Sequence, residues 1–471
     1  MKRLAALSVL ILLLAMPLCA KDKYHITLTI KNGKDTLMIM GRYFAHTNEV
    51  IDSARIDRKG RFVFSGTDEL EPGMYFFANP QGTYVEFFIY HEKPFFDFTT
   101  MEGNWAGKMK VKGSKENDFF FTDYGRITER INQKMDIQHK VLDSAAFREY
   151  AKTCHEEMDR ALDSLKNAQP ERALSKLMRC TDPILPPTSD EEGFELTEKQ
   201  RYDYFMKHYF DHMPLDDEFL IHTPKRVFYE PVMRYFDKYL KGAPPEEICK
   251  YADSLIERSR PAKRTFQWLV HTLTNKYLKS PVMVYDSVYV HLSKKYYVSG
   301  EAWWAEPSTI DEEAVRVSKW EKLLVGKVAP ELILFDTMHN AHSLHYLPSK
   351  YKLLIFWSPT CGHCKTVIPA IYKLFEKYAQ QVSLSAFAIL SEPDDNTRAL
   401  WKKFMVEKGI NHSRWINLDG GEANVDWHEV YDVTTTPQIY LLDEENKIVA
   451  KKLNAETFEM VMEVLVKENK N

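Results

Sequence analysis

The fold of the C-terminal third is decided by residues 353–364, which have the sequence LLIFWSPTCGHC. The apolar run at the start predicts a buried strand, and residues 365–378 have helical spacing. The cysteine pair therefore stands where a strand meets a helix, so free N–H groups and the helix dipole favour a thiolate at Cys361. Cys364 lies one turn further on. This context favours thiol redox chemistry over half of a zinc site, because the sequence contains no second Cys-x-x-Cys.

The composition is that of a multidomain globular chain. Its 471 residues suggest about three domains at ~150 residues each. Hydrophobic residues make up 44% and aromatic residues 13% of the chain, which is enough for real cores. Lys and Arg total 63 and Asp and Glu total 67, a net charge of -4. We therefore expect no nucleic-acid partner, since proteins that bind nucleic acids usually carry a basic excess.

Residues 1–20 have the pattern of a signal peptide. A basic start precedes the apolar run 4–16, which is too short to span a bilayer, and Ala20 offers a small residue for cleavage. Lipid anchoring at Cys19 is the less favoured alternative, because Leu18 is larger than the residue that such a site prefers. In both cases the mature protein is expected to be exported, to the periplasm or cell envelope.

Residues 21–115 are expected to form an all-β accessory domain, either a sandwich or an open barrel. Ile26, Leu28 and Ile30 alternate with polar residues, which is the period of a half-buried strand. Asn32-Gly33 predicts a hairpin turn. Further strands are predicted at residues 50–56, 61–64, 74–78, 84–90, 95–99 and 108–112.

Residues 116–320 are expected to form an all-α accessory domain. Residues 116–140 and 144–167 are long mixtures of polar and apolar residues, broken only by Gly125. Pro244–Glu247 combines prolines and acids in the way typical of a helix start. We find no catalytic constellation in this region.

Three cysteines of the mature chain lie outside the motif, at Cys154, Cys180 and Cys249. Because their number is odd, at least one is unpaired within the chain. Export permits a disulfide between Cys154 and Cys180 across a helical hairpin. Buried thiols that act as small hydrophobes explain the same residues equally well. The sequence leaves this pairing open.

From residue 321 to residue 471, strands alternate with helices, which predicts an α/β domain with a central sheet covered by helices. The predicted strands are residues 332–335, 352–357, 382–390, 414–417, 438–442 and 447–451, and the predicted helices are 364–378, 396–408, 425–431 and 455–467.

The C-terminal part resembles the thioredoxin-fold domains of the TlpA/ResA type, which are related to the AhpC/TSA group. Four features carry the resemblance: Gly326–Pro330 (GKVAP), the motif Trp357–Cys364, Pro369 in the following helix, and Thr434–Pro437, which is similar to the cis-proline loop of the family. The resemblance implies a thioredoxin fold for residues 321–471.

The preceding regions resemble accessory modules of unknown function, which come before thioredoxin domains in multidomain bacterial envelope proteins. The matching stretches are Tyr202–Leu220, His222-Thr223-Pro224 and Leu273–Tyr277. Two residues of the last domain depart from the family pattern. Ile355 stands where thioredoxin has a buried Asp, and Val367 stands where ResA-like proteins carry a Glu. The acid that would deprotonate Cys364 is therefore not identifiable from the sequence.

The resemblance implies an enzyme, a thiol–disulfide oxidoreductase that reduces or isomerises protein disulfides. Cys361 is expected to be the nucleophile and Cys364 the resolving cysteine, and the two form the redox-active disulfide. His363, when protonated, is expected to lower the pKa of the Cys361 thiol. Trp357 and the Thr436–Pro437 peptide, expected to be cis, are assigned to substrate binding.

The expected partners are protein disulfide substrates and a membrane thiol–disulfide electron donor, with no cofactor and no metal; the oligomeric state is left open. The sequence leaves three alternative functions. A non-catalytic envelope binding protein would not require both cysteines. A metallochaperone would draw on the histidines of residues 339–345 (His339, His342 and His345). A thiol peroxidase would need a Thr three residues before its Cys, and Pro359-Thr360-Cys361 lacks that spacing.

Overall fold

The computed structural model describes residues 22–469. The predicted signal peptide, with Cys19, lies outside these described residues. The chain divides into two compact units. One runs to Lys241 and includes Arg258–Phe266, and the other consists of Gly242–Glu257 and the chain from Gln267 onward. The helical stretch thus contributes to both units, and the domain boundaries expected from the sequence stay a prediction.

The N-terminal strands form because apolar side chains alternate along them, so that one face of each strand can be buried. Ile26, Leu28 and Phe64 are fully buried or nearly so, for example. The strands of this part are β1 (Tyr24–Lys31), β2 (Leu37–Phe44), β3 (Thr47–Arg55), β4 (Arg61–Gly66), β5 (Gly73–Ala78), β6 (Tyr84–Ile89), β7 (Phe95–Met101) and β8 (Lys110–Lys112).

These strands make two four-stranded sheets with the orders β4-β1-β7-β8 and β3-β2-β5-β6. Both sheets contribute to one hydrophobic core, with Leu28 from the first and Met40 from the second. The rings of Phe64 and Phe77 stack between the sheets with centroids 5.4 Å apart. The expected all-β domain is therefore confirmed, in its sandwich form.

The hairpin predicted at Asn32-Gly33 is wrong, and β2 was not predicted at all. Asn32 has the positive φ, 60°, that a turn requires. The strands on either side of the turn nevertheless join different sheets, since β1 pairs with β4 and β7 while β2 pairs with β3 and β5. The local turn signal was correct, but burial of the apolar faces, not the turn, selected the strand partners.

The central stretch is helical, as expected. Gly125 does not interrupt it, since a π-helical turn at Phe119–Tyr124 passes directly into the next α-helix. The helices are α1 (Lys115–Asp118), α2 (Gly125–His139), α3 (Ser144–Ala168), α4 (Ala173–Arg179), α5 (Glu198–His208), α6 (Tyr229–Arg234), α7 (Pro245–Arg258), α8 (Lys263–Leu278), α9 (Asp286–Leu292) and α10 (Pro307–Trp320). None of the helices between residues 22 and 469 is long and apolar enough to cross a membrane.

The C-terminal part is a seven-stranded sheet covered by helices, with the order β10-β9-β13-β12-β11-β14-β15. This confirms the expected α/β thioredoxin fold. Its elements are β9 (Ile333–Asp336), β10 (Ala341–Ser343), β11 (Tyr351–Trp357), α11 (Gly362–Ala379), β12 (Leu384–Leu390), α12 (Asp395–Lys408), β13 (Trp415–Ala423), α13 (Trp427–Val430), β14 (Gln438–Leu442), β15 (Ile448–Lys451) and α14 (Ala455–Glu468).

The central strands of this sheet are buried on both faces. All seven residues of β11 and all seven of β12 are buried, and the two strands run parallel. Ile355 faces one core, which includes Cys364 and Phe458 of the flanking helices. Phe356 faces a second core with Leu323 and other residues. Because β11 and β12 are parallel, both end at the edge of the sheet where α11 begins.

Candidate active site

The first motif cysteine caps the helix that follows it. β11 ends at Trp357, and Cys361 is the extended residue immediately before α11. Its sulfur accepts a hydrogen bond from the backbone N–H of Cys364 at 3.3 Å. The N–H groups of the first helical turn have no carbonyl partner within the helix. One of them therefore donates to the sulfur that is expected to carry negative charge.

Hydrogen bonds lower the pKa of the Cys361 thiol. Burial acts in the opposite direction, but the backbone N–H of Cys364, with smaller contributions from Thr436 and from the N–H of His363, outweighs it and brings the pKa below its usual value. The side chain is partly accessible to solvent. A thiolate at this position is thus both favoured and reachable.

The second cysteine has the opposite character. Cys364 is fully buried, and this burial raises the pKa of its thiol to about 12, with a smaller opposing effect from the backbone of Ser358. Both motif cysteines are free thiols in this structure. At neutral pH, Cys361 is therefore the sulfur equipped to attack and Cys364 the one held protonated.

The residues predicted beside the motif occupy distinct positions. His363 is exposed on the first turn of α11. Trp357 is fully buried, and its ring packs against that of Phe404 with centroids 5.3 Å apart. The structure places Trp357 beneath the motif, whereas His363 lies at the surface next to Cys361.

The proline loop lies directly against the first cysteine. The Thr436–Pro437 peptide bond is cis, and it immediately precedes β14. The sulfur of Cys361 lies 3.3 Å from the carbonyl oxygen of Thr436. Residues 75 positions apart in the chain are thereby brought into contact, with the loop backbone at the rim of the site.

An acidic residue that the sequence analysis missed fixes the loop before the motif. The carboxylate of Glu392 accepts hydrogen bonds from the hydroxyls of Ser358 and Thr360, each at 2.9 Å. Glu392 follows β12 and Ser358 follows β11, so the parallel pairing of these strands places them together. An acid just after a buried strand next to the motif strand was the available signal.

The residues considered for metal binding are not gathered into a site. The imidazole of His342 bonds the carboxylate of Asp336 at 3.0 Å, and that of His345 bonds the carbonyl oxygen of Ala329 at 2.7 Å. Within residues 22–469, no group of three or more His, Cys, Asp or Glu residues is arranged to hold a metal ion.

The cysteines outside the motif are also free thiols. Cys154 and Cys180 are buried, and Cys249 is half-buried. Burial raises the pKa values of Cys180 and Cys249 to about 12 each. Cys180 and Cys249 thus differ from Cys361, whose pKa is lowered, and the burial of Cys154 is that of a small hydrophobic side chain.

Comparison with protein families identifies three regions of the chain. Residues 24–120 match a domain of unknown function (DUF4369), residues 195–319 match a second one (DUF5106), and residues 336–404 match the thioredoxin family. The cysteine motif and the start of α11 lie inside the thioredoxin match.

The chain is also similar to curated and solved proteins. The thiol-disulfide oxidoreductase ResA of Bacillus thuringiensis (strain Al Hakam) is 26% identical over 141 residues, which cover 30% of this chain and 76% of ResA. A thioredoxin-like protein from Bacteroides caccae is 20% identical, with 60% of this chain and 99% of that chain covered and a TM-score of 0.48. The thioredoxin domain of a Bacteroides vulgatus thiol-disulfide oxidoreductase is 27% identical, with coverage of 30% and 97% and a TM-score of 0.26.

The fold and the family matches define the class of protein: a multidomain chain with a thioredoxin domain at its C-terminal end, preceded by two domains of unknown function. More particularly, the chain is an oxidoreductase of the thiol–disulfide type, similar over 30% of its length to ResA.

Proposed function

We propose that this protein is exported to the bacterial cell envelope, where it reduces or reshuffles protein disulfides through Cys361 and Cys364. One observation carries the proposal. Cys361 caps α11 and Cys364 lies in its first turn, yet the pKa of the accessible Cys361 is lowered and that of the buried Cys364 is raised. A nucleophile followed by a resolving thiol requires this asymmetry.

The proposed reaction begins with the Cys361 thiolate. It attacks one sulfur of a substrate disulfide, the substrate S–S bond breaks, and one substrate sulfur leaves as a thiolate. Cys364 then loses its proton and attacks the Cys361 sulfur. This step forms the Cys361–Cys364 disulfide and releases the second substrate thiolate. Two electrons have passed from the enzyme to the substrate, and a membrane thiol–disulfide donor is proposed to return them.

The other site residues are proposed to support these steps. The backbone at the cis Thr436–Pro437 peptide, which contacts the Cys361 sulfur through its carbonyl oxygen, would pair with an extended substrate segment. Trp357 packs under the motif and holds its geometry from below. His363, exposed beside Cys361, would stabilise the thiolate when it is protonated.

The test uses the mature chain, reduced beforehand and freed of reductant, with insulin as the disulfide substrate. We expect reduction of insulin with oxidation of one Cys361–Cys364 pair per turnover, and no reduction by Cys361→Ala. Cys364→Ala should accumulate mixed disulfides with insulin, whereas Cys361→Ala should not. If the wild-type chain does not reduce insulin although both cysteines titrate as free thiols, the proposal is refuted.

The working direction is set by the reduction potential. Thioredoxin lies at about −270 mV and protein disulfide isomerase at about −180 mV, and we propose a value between them. An imidazolium at His363 would favour the thiolate, which is the reduced form, and so raise the potential. His363→Pro is therefore expected to move the potential toward that of thioredoxin when it is measured against glutathione buffers. An unchanged reduction potential in this variant would show that His363 does not stabilise the Cys361 thiolate.

A further inference from the structure

A cavity of about 400 Å³ lies next to the active site within the second unit. It is lined by His363 and Val367 of α11 and by Pro437 of the cis-proline loop. It is also lined by Trp320, the last residue of α10, and by Leu323, and neither of these two lies in the matched thioredoxin region. The helical stretch, through Trp320, therefore supplies part of a cavity whose lining includes His363, two positions after Cys361.

Trp320 is held in place at the rim of this cavity. Its indole N–H donates a hydrogen bond to the carboxylate of Asp432 at 2.7 Å. The ammonium group of Lys452 lies 5.7 Å from the centre of its ring, a cation–π contact. Both Asp432 and Lys452 also line the cavity. The indole is thus a fixed apolar wall, oriented from two sides.

Asp286 and Lys451, which also line the cavity, form a buried ion pair. One oxygen of Asp286, at the start of α9, pairs with the ammonium of Lys451, which also donates to the carbonyl oxygen of Leu323 at 2.6 Å. Burial raises the pKa of Asp286 and lowers that of Lys451. Asp286 is only 2% exposed, and its Oδ1 has no hydrogen-bond partner among the described residues. The nearby N–H of Ser287 donates instead to the carbonyl oxygen of Val284.

The chemistry of the lining limits what can enter. Its charged groups balance, because Asp286 and Asp432 are matched by Lys451 and Lys452. A charged ligand would lose its hydration without a free counter-charge, so a neutral ligand is favoured. The apolar wall favours an aromatic body, and the unpartnered carboxylate oxygen of Asp286 favours a hydrogen-bond donor at its tip.

We propose that this cavity receives a substrate side chain adjacent to the reactive cysteine, and that it selects a neutral aromatic residue with a donor group, tyrosine above all. The proposal rests on the proposed disulfide-reductase function and adds its substrate preference. Asp286 and Trp320 are the specificity-determining residues. The helical stretch is then a substrate-selecting part of the enzyme and not a spacer.

The test uses the full mature chain and glutathionylated peptides that differ in one residue beside the cysteine, placed before it in one series and after it in another. Tyr, Phe, Glu and Lys are compared at that residue, and kcat/KM for deglutathionylation is measured. In one of the two series we expect the Tyr peptide to exceed the Phe peptide by about tenfold, the worth of one hydrogen bond to a charged acceptor. The Glu and Lys peptides should be slower than the Phe peptide.

Two variants separate recognition from folding. The double variant Asp286→Leu/Lys451→Met replaces the ion pair by apolar side chains of similar size, a change that folds well in other buried pairs. It should reduce the Tyr-to-Phe ratio to about one, because kcat/KM for the Tyr peptide should fall by a larger factor than kcat/KM for the Phe peptide. Trp320→Ala should lower kcat/KM for both aromatic peptides, through KM, by a larger factor than it lowers kcat/KM for oxidised glutathione.

Matched controls lie on the same helical stretch. Trp303, which is 62% exposed, and Asp311, which is exposed, do not line the cavity. Trp303→Ala and Asp311→Leu should leave every ratio unchanged. Equal rates for all wild-type peptides in both series would overturn the inference and leave the proposed function standing. No reduction of any peptide or of insulin would overturn both.

Discussion

The unequal thiols of the motif give a quantitative prediction for alkylation of the reduced protein. Burial raises the pKa of Cys364 to about 12, and that of Cys361 lies below the usual 9.0. This gap makes the thiolate fraction of Cys361 at neutral pH larger by a factor of at least ~1000. A thiolate of lower pKa is intrinsically less nucleophilic, with a Brønsted coefficient of about 0.4–0.5. This effect reduces the rate advantage of Cys361 by a factor of roughly 20–30.

The net expectation is that iodoacetamide modifies Cys361 at least ~30 times faster than Cys364 at pH 7, before the full burial of Cys364 slows its reaction further. Peptide-resolved mass spectrometry after timed quenching gives both rates in one sample. Cys361→Ala and Cys364→Ala report each thiol alone, and Cys249 provides an internal reference outside the motif. Equal rates for the two motif cysteines, or faster modification of Cys364, would refute the assignment of nucleophile and resolving thiol.

Three further predictions concern stability. Lys451→Met should destabilise the fold by about 3–5 kcal/mol in urea unfolding, because the Asp286 carboxylate is left buried without its partner. Glu392→Ala should cost about 1–3 kcal/mol by the same measurement, because the buried hydroxyl of Ser358 and the exposed hydroxyl of Thr360 both lose this acceptor. Burial opposes ionisation of Asp217, but hydrogen bonds and the Lys176 charge outweigh it and lower the pKa of this carboxyl below 3.8. The stabilisation of the fold by ionised Asp217 is therefore complete above pH 3.8 and is lost as the pH falls through the pKa of the folded state. Asp217→Asn should therefore lower stability at pH 7, and the difference should shrink below pH 3.8.

Each of these changes has a control. Adding Asp286→Leu to Lys451→Met should restore most of the lost stability, and a further loss would show that the pair is not the cause. Glu463, an exposed glutamate of the last helix, is the reference for Glu392, since Glu463→Ala removes an equal charge at the surface. For Asp217, a difference from Asp217→Asn that persists unchanged at low pH would contradict the linkage.

The core of the candidate site could be predicted because its signals are local in sequence. A buried strand, a Cys-x-x-Cys pair and an amphipathic helix follow one another within residues 353–378, and strand–helix alternation from residue 321 onward defines the α/β class. Cys361 at the N-terminus of α11 and Cys364 one turn inside it follow directly from that order. The contact between Cys361 and the Thr436 carbonyl did not follow from the spacing of residues; only the family resemblance pointed to that loop.

Only the tertiary structure shows the cavity beside the motif and the ion pair in its lining. Asp286 and Trp320 belong to helices whose periodicity says only which face is apolar, and nothing in it links them to Lys451 or to a cavity beside the motif. A lysine at the end of a strand is normally solvated, so its burial depends on an acid that arrives from 165 positions away. The Asn32-Gly33 turn shows the same limit. Hydrophobic periodicity shows which face of one segment is buried. Which strands or side chains pair with that segment depends on the total burial of segments that are distant in the chain.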